Sequence, residues 1–410
     1  MAEVDADGEW GTMRKYLHCL AQPHALSLLS SNFFGRLPNG MSALAIVLFL
    51  RAHDVPYAEV GTAAALYGLC SAVGGPVLGR IVDQRGQLVT LLSGAIGSGL
   101  GFVLLAVLGA DSLPMALIGV ALAGFLMPPL EPALRSMWSS VLPDESTVEV
   151  AYALDTALQN ILFVAGPLMV VGLAALTSTT AALLVIGTLG IAGAATFVSI
   201  RPVRAWRGEP RARDWAGALR SRLLLMVLLG MMCIGGVVGV LNVATVAYAE
   251  QAGLPGFSGV LLGAFSFGSL IGGLGYGARN WSGDPLRRMV FLVLGLAVCT
   301  WPLVFMLGAA GTVALMAVAG FGLAPVLTCG FVLIGKIAPR GTVTEAFAWV
   351  TAVFLGGSAI GSAIVGSVLP VGGLRGAFVV AGLAATAGFL VVLVAASVPA
   401  LRPQPSPEPN

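Results

Sequence analysis

The segment SSNFFGRLPNGM, residues 30 to 41, sets Arg36 in an apolar run with Asn32 at i−4 and Asn39 at i+3. On a helix the three share one face. A cation between two amides can hold a carboxylate, receive a ligand's negative group or take part in proton exchange. YALDTALQNILFVAGP supplies the opposite charge in Asp155, with Gln159 one turn on. Glu131 and Arg135 are spaced i, i+4 and can pair along one helix. A fourth group lies in GGPVLGRIVDQRGQLVTLL, residues 74 to 92. There Arg80, Asp83, Gln84, Arg85 and Gln87 fall between two apolar runs, beside Gly79 and Gly86.

Other chemistries are excluded. The five cysteines, 19, 70, 233, 299 and 329, are scattered, with no CxxC and no nearby histidine cluster, so neither a metal site nor a disulfide framework is expected. His18, His24 and His53 fall at or outside the ends of apolar runs, which argues against a buried histidine relay. No GxxxxGK followed by Ser or Thr occurs, so the chain carries no ATP-binding loop of that type. No cofactor and no enzymatic activity are expected.

The elements that must position these residues follow from composition. Of 410 residues, 57% are hydrophobic and 10% charged, with a mean hydropathy of +0.94. A soluble domain would carry roughly a quarter charged residues. Apolar runs recur along the chain, each long enough for the ~20 residues that cross a bilayer as a helix. The net charge of +2, spread along the chain, does not suggest nucleic acid. The acidic start MAEVDADGEW lacks the basic region of a signal peptide, so no cleavage is expected.

The runs predict an all-α membrane protein with twelve spans, over 26–50, 58–80, 88–108, 114–138, 149–175, 178–200, 222–249, 257–279, 289–308, 311–336, 344–369 and 374–399. The longest break, RPVRAWRGEPRARDWAGALRSR, holds seven arginines and reads as a linker. The expected organisation is an N-terminal segment 1–25, a six-helix bundle 26–200, a linker 201–221, a second bundle 222–400 and a tail 401–410. Basic residues fall in alternate breaks: Arg14 and Lys15, Arg80 and Arg85, the linker, Arg279 with Arg287 and Arg288, Lys336 with Arg340, and Arg402. The opposite set has Arg51 and Arg375. The positive-inside rule places the termini and linker in the cytoplasm. Lys occurs only at 15 and 336, an arginine bias typical of GC-rich bacterial genomes, so a bacterial inner membrane is the expected location.

The halves resemble each other. A shift of 196 residues aligns Pro129 with Pro325, Pro143 with Pro339 and Glu149 with Glu345; a shift of 198 aligns Gly74, Gly75 and Gly79 with Gly272, Gly273 and Gly277. Two parallel six-helix repeats are a transporter architecture.

The loop between spans two and three resembles the signature of the major facilitator superfamily: a glycine, an aspartate four residues later, a second glycine and flanking basic residues, here Gly79, Asp83 and Gly86 with Arg80 and Arg85. The resemblance implies two pseudo-symmetric bundles working by alternating access. It also implies that Asp83 sits against the N-terminus of the eleventh span, near Thr344, where a helix dipole favours negative charge. Such a contact would latch one side shut; simple positive-inside topology is the plainer reading of the same residues. Gln84, Gln87 and Leu88 depart from the basic positions of the family.

An ionisable group at the bilayer centre costs at least about 2.5–3.5 kcal/mol. Arg36 lies about ten residues into span one, ~15 Å along the helix, near the midplane. Asp155 is its expected partner, either as a purely structural pair or as one that opens for substrate or a proton. Glu131 and Arg135, nearer the cytoplasmic end, read as gating residues beside the loop latch, with substrate contact as the alternative. Glu149 and Glu345 read as helix caps. A carboxylate beside arginine must be desolvated or lose that partner before it takes up a proton near neutral pH, and Asp155 and Glu131 are the available choices. Gly166-Pro167 is similar to a motif of drug-proton antiporters, although Leu162, Val170 and Val171 stand where its other glycines would be.

Spans seven and ten offer few polar groups, chiefly Asn242 and Thr328, too few to replace a sugar's hydration. The expected function is therefore export, by a monomer, of a lipophilic or amphipathic small molecule in exchange for protons. Import of a small organic anion with Arg36 as counter-ion, and a membrane sensor without transport, are the alternatives. The orientation has a direct check: cysteines introduced at 54, 111 and 254 should react with an impermeant reagent in intact cells, and one at 208 should not. Labelling at 208 would overturn the topology.

Overall fold

The computed structural model describes residues 14–109, 112–208, 217–254, 257–279 and 281–397. Among these, all regular structure is helical. The helices are α1 (Ala25–Ala52), α2 (Tyr57–Arg85), α3 (Gln87–Leu108), α4 (Leu113–Phe125), α5 (Leu130–Val141), α6 (Glu145–Leu176), α7 (Thr179–Ser199), the short α8 (Arg201–Ala205), α9 (Arg222–Gln251), α10 (Phe257–Ala278), α11 (Pro285–Thr300), α12 (Gly308–Phe321), α13 (Leu323–Ile337) and α14 (Val343–Ser397). A further short helix covers 14–21. Position 111, linker residues 209–216 and the tail 401–410 lie outside the described residues, as do 1–13.

Eleven helical runs are long and apolar enough to cross a bilayer. The last covers 55 residues, far beyond the ~30 Å hydrocarbon core at ~1.5 Å per residue. Gly373, at φ 59° and ψ −162°, divides it into two spans, which brings the spans to twelve among the described residues.

Two spans expected to be continuous are broken. In the fourth, α4 stops at Phe125 and α5 starts at Leu130. Pro128 and Pro129 occupy the gap and have no N–H to continue the ladder. In the tenth, α12 stops at Phe321 and α13 starts at Leu323, with Pro325 just inside it. The 196-residue shift carries the end of α4 at Phe125 onto the end of α12 at Phe321 and Pro129 onto Pro325, although α13 restarts three residues before the position that matches Leu130. Glu149, expected to cap span five, lies instead in the second turn of α6. The cap is Asp144, which accepts from Thr147 N at 2.9 Å. Hydrogen bonds, first from the Ser146 hydroxyl and then from Thr147 N, pull the Asp144 carboxyl down to about 2.

The chain forms two compact units, Met1–Arg213 with Arg340–Ala352, and Asp214–Pro339 with Val353–Asn410. In the first, α1 packs on α7 and α6 with backbones almost touching. A Cβ on Gly193 would lie 2.1 Å from Gly35 Cα, and one on Gly166 would lie 2.6 Å from Gly40 C. Small residues at such crossings substitute close backbone packing for a hydrophobic drive that lipid cannot supply. These crossings flank Arg36 and fix its depth. Met41, Ile46, Phe49, Phe102, Leu105 and Leu183 fill the core above it. In the second unit α10 and α12 cross as tightly: a Cβ on Gly320 would lie 1.9 Å from Phe265 O.

Candidate functional site

The break before α5 sets the site. With the helix restarted at Leu130, Glu131 falls in its first turn, where a carboxylate is favoured by the dipole. Arg135 follows one turn later on the same face. Both are buried.

Four charged side chains from three helices then meet. Arg36 on α1 donates from Nη1 to Asp155 Oδ1 on α6 at 2.5 Å, and its Nη2 lies 3.1 Å from Glu131 Oε2 on α5. Arg135 donates from Nε to Asp155 Oδ2 at 2.7 Å and pairs through Nη1 with Glu131 Oε1. Each carboxylate therefore bridges both guanidiniums. Their side chains are at most 6% exposed, and the formal charges cancel.

Neutral groups complete the arrangement. Gln159 accepts from Arg135 Nη2 at 3.1 Å and donates to Glu131 Oε2 at 3.2 Å. Asn32 donates to Leu130 O at 2.7 Å, tying α1 to the restart of α5, and its Oδ1 lies 3.5 Å from Arg36 Nη1. Tyr152 donates to Arg135 O at 3.1 Å. The Nε of Arg36 is buried and has no acceptor among the described residues.

This corrects the separation of the two pairs. Glu131 and Arg135 were expected as a gate apart from Arg36 and Asp155; the four form one cluster. A continuous span four would carry no such restart, and the interruption at Pro128-Pro129 is what presents 131 and 135 to α1 and α6. Asn39 is exposed rather than gathered with Arg36.

The aspartate of the glycine-flanked loop sits at the end of α2. Asp83 accepts from Thr344 N at 3.1 Å and from Glu345 N at 2.8 Å, the first amides of α14. Two free helix N–H groups and the dipole thus meet one carboxylate. Gly79 makes room: a Cβ there would lie 3.1 Å from Thr344 O and 3.2 Å from Ala348 Cβ. Gly86, at φ 89°, turns the chain from α2 into α3. Arg80 is half-buried and Arg85 exposed. Gln87, at a position basic in the family signature, donates to Ala133 O of α5 at 3.0 Å.

Sequence reasoning missed the residues that join this contact to the charged cluster. Thr344 donates to Ser136 Oγ at 3.0 Å, and Ser136 adjoins Arg135. The Tyr152 ring lies 6.0 Å from that of Phe347 on α14, and its hydroxyl reaches Arg135 O. Tyr152 stands three residues before Asp155, a helical spacing that could have singled it out. Ser136 carries no signal in the sequence. In the second unit, Asn242 on α9 is exposed and Thr328 on α13 buried.

The sequence profile of the Major Facilitator Superfamily matches residues 28–316, well over half of the chain. The chain belongs to that superfamily. Solved structures share its fold. The human organic anion transporter MFSD10 (TETRAN) superposes with a TM-score of 0.64 at 16% identity, over 90% of this chain and 100% of its own. A bacterial homologue of the iron transporter ferroportin in an outward-facing state gives 0.72 at 13%, over 91% and 99%. A variant of the E. coli fucose:proton symporter FucP gives 0.69 at 14%, over 91% and 98%. No curated protein matches the sequence. This superfamily member is a multi-pass membrane protein and a secondary transporter.

The cluster predicts a compensation. Asp155→Asn leaves an unbalanced buried positive charge, and breaking a buried ion pair costs about 3–5 kcal/mol. Arg36→Gln added to it restores neutrality and leaves Glu131 with Arg135. In detergent the double variant should unfold at a temperature closer to wild type than Asp155→Asn alone. An additive loss would show that the charges do not compensate.

Proposed function

We propose that this transporter exports a lipophilic or amphipathic small molecule in exchange for protons, with the Arg36, Glu131, Arg135 and Asp155 cluster as the coupling device. The observation that carries the reading is that each carboxylate bridges both guanidiniums. A proton on either carboxylate cancels one negative charge and leaves an excess positive charge in a site sealed from water. Such a charge is costly, so the cluster must rearrange. Ser136 and Tyr152 transmit that rearrangement to Thr344 and Phe347 at the start of α14, where Asp83 holds the latch.

The scarcity of polar side chains in spans seven and ten supports a lipophilic substrate, with Asn242 and Thr328 as its few polar contacts and Gln159, Asn32 and Asn39 beside the charges. Gly79, Arg80, Asp83, Arg85 and Gly86 form the gate. The proposed setting is a monomer in a bacterial inner membrane with both termini in the cytoplasm.

One observation favours import of a small organic anion instead: Arg36 Nε is buried without an acceptor among the described residues, and a ligand oxygen could supply one. Both terminal nitrogens of that guanidinium already face carboxylates, which repel an anion, so export is the better supported reading.

The test uses membrane vesicles and a fluorescent lipophilic quaternary ammonium cation, which an acid lumen does not trap by protonation. Everted vesicles should accumulate the cation when their lumen is made acid, and the Arg36→Gln/Asp155→Asn variant should fold but fail to do so. Unchanged proton-driven accumulation by that variant would overturn the coupling role. Uptake confined to right-side-out vesicles, and to organic anions, would favour the importer.

A further inference from the structure

The loop between α10 and α11 matches the latch loop in position but not in chemistry. The 198-residue shift that aligns Gly79 with Gly277 aligns Asp83 with Trp281. Where the first unit presents a carboxylate to a helix N-terminus, the second presents an indole. Trp281 is fixed by its Nε1, which donates to Tyr276 O at 2.8 Å, and it stacks on the Tyr276 ring at 4.9 Å and 24°. The guanidinium of Arg279 lies 4.9 Å from the Trp281 ring centre. Arg288 lies 5.4 Å from the same ring and 5.5 Å from that of Tyr276.

Arg287 and Arg279 are exposed and form no ion pair among the described residues. The one carboxylate between 276 and 288 is Asp284. It accepts from Leu286 N at 3.0 Å as the cap of α11, so its charge is directed to a helix end. The stretch therefore keeps a surplus of positive charge.

We infer that this arginine and tryptophan cluster binds the phosphate headgroup of an anionic phospholipid. Depth selects lipid as the occupant. Arg279 follows the last residue of α10, and Arg287 stands in the first turn of α11, so the guanidiniums are anchored where two apolar spans end. Tyr and Trp at such ends sit at headgroup level. A guanidinium placed over a ring, as that of Arg279 is over Trp281, keeps N–H donors that can grip phosphate oxygens. Basic residues next to a span attract acidic lipid, and here Trp281 holds Arg279 beside it.

The experiment uses the full chain in nanodiscs of phosphatidylcholine doped with phosphatidylglycerol, with native mass spectrometry of the lipid retained. Wild type should retain phosphatidylglycerol preferentially. Arg279→Gln/Arg287→Gln should lower that preference by about fivefold per arginine, and Trp281→Ala, which keeps every charge, should lower it as well; the latter decides the matter if the former folds poorly. Arg201→Gln/Arg204→Gln removes equal charge from the linker beside another span, with no ring against either guanidinium among the described residues, and should lower the preference less. An equal fall in the linker variant, or no fall in either loop variant, would overturn the site. Displacement of phosphatidylglycerol from wild type by inorganic phosphate would identify a soluble anion as the ligand and refute the lipid assignment.

Discussion

A guanidinium buried in a membrane protein must be neutralised where it lies, and Arg36 imposes that condition on the first unit. One carboxylate would suffice for one arginine. The structure instead uses two of each, so that Asp155 and Glu131 are shared between Arg36 and Arg135. Sharing makes the balance collective: a change of charge on any member alters the pairing of all four. Gly35, where a Cβ would lie 2.7 Å from Leu130 Cδ1 of α5, and Gly40, which crosses α6 at Gly166, bring the three helices near enough for contacts of this length. The interruption of span four supplies two of the four charges in the right phase.

The same interruption joins the charged residues to the start of α14. α5 is a separate helix of twelve residues, held by Asn32 at its start, by Gln87 at Ala133 and by Thr344 at Ser136. Glu131 and Arg135 both lie on this helix. Its contacts with the first turn of α14 lie beside those that Asp83 makes with Thr344 and Glu345. The Asp83 contact and the charged cluster are therefore joined through Thr344, Ser136 and α5. Broken helices at membrane depth are a feature of transporter sites, because unwound backbone is tolerated only where protein or a cavity surrounds it.

The spans, the repeat and the Asp83 loop were legible in the sequence because each leaves a local mark: apolar length, recurrent Gly and Pro, and a carboxylate between glycines. The membership of Arg36 and Asp155 in one site was legible from the cost of burying either alone. Their union with Glu131 and Arg135 was not. An i, i+4 spacing describes pairing along one helix, and only the restart of that helix at Leu130 turns both residues toward α1 and α6. The roles of Ser136 and Tyr152 depend on a contact more than two hundred residues away in sequence, Ser136 with Thr344, which no local pattern encodes. The boundary between α14's two spans was legible as well: the break expected at 370–373 contains Gly373, whose positive φ suits glycine.

Under the proposed coupling, a carboxylate of this cluster carries the transported proton. Infrared difference spectroscopy between mildly alkaline and mildly acidic buffer reads it directly, in an Asp83→Asn background that removes the carboxylate at the start of α14. A protonated carboxyl band is expected on acidification, lost or shifted in Glu131→Gln or Asp155→Asn. A band indifferent to both substitutions, or none at all, would contradict it.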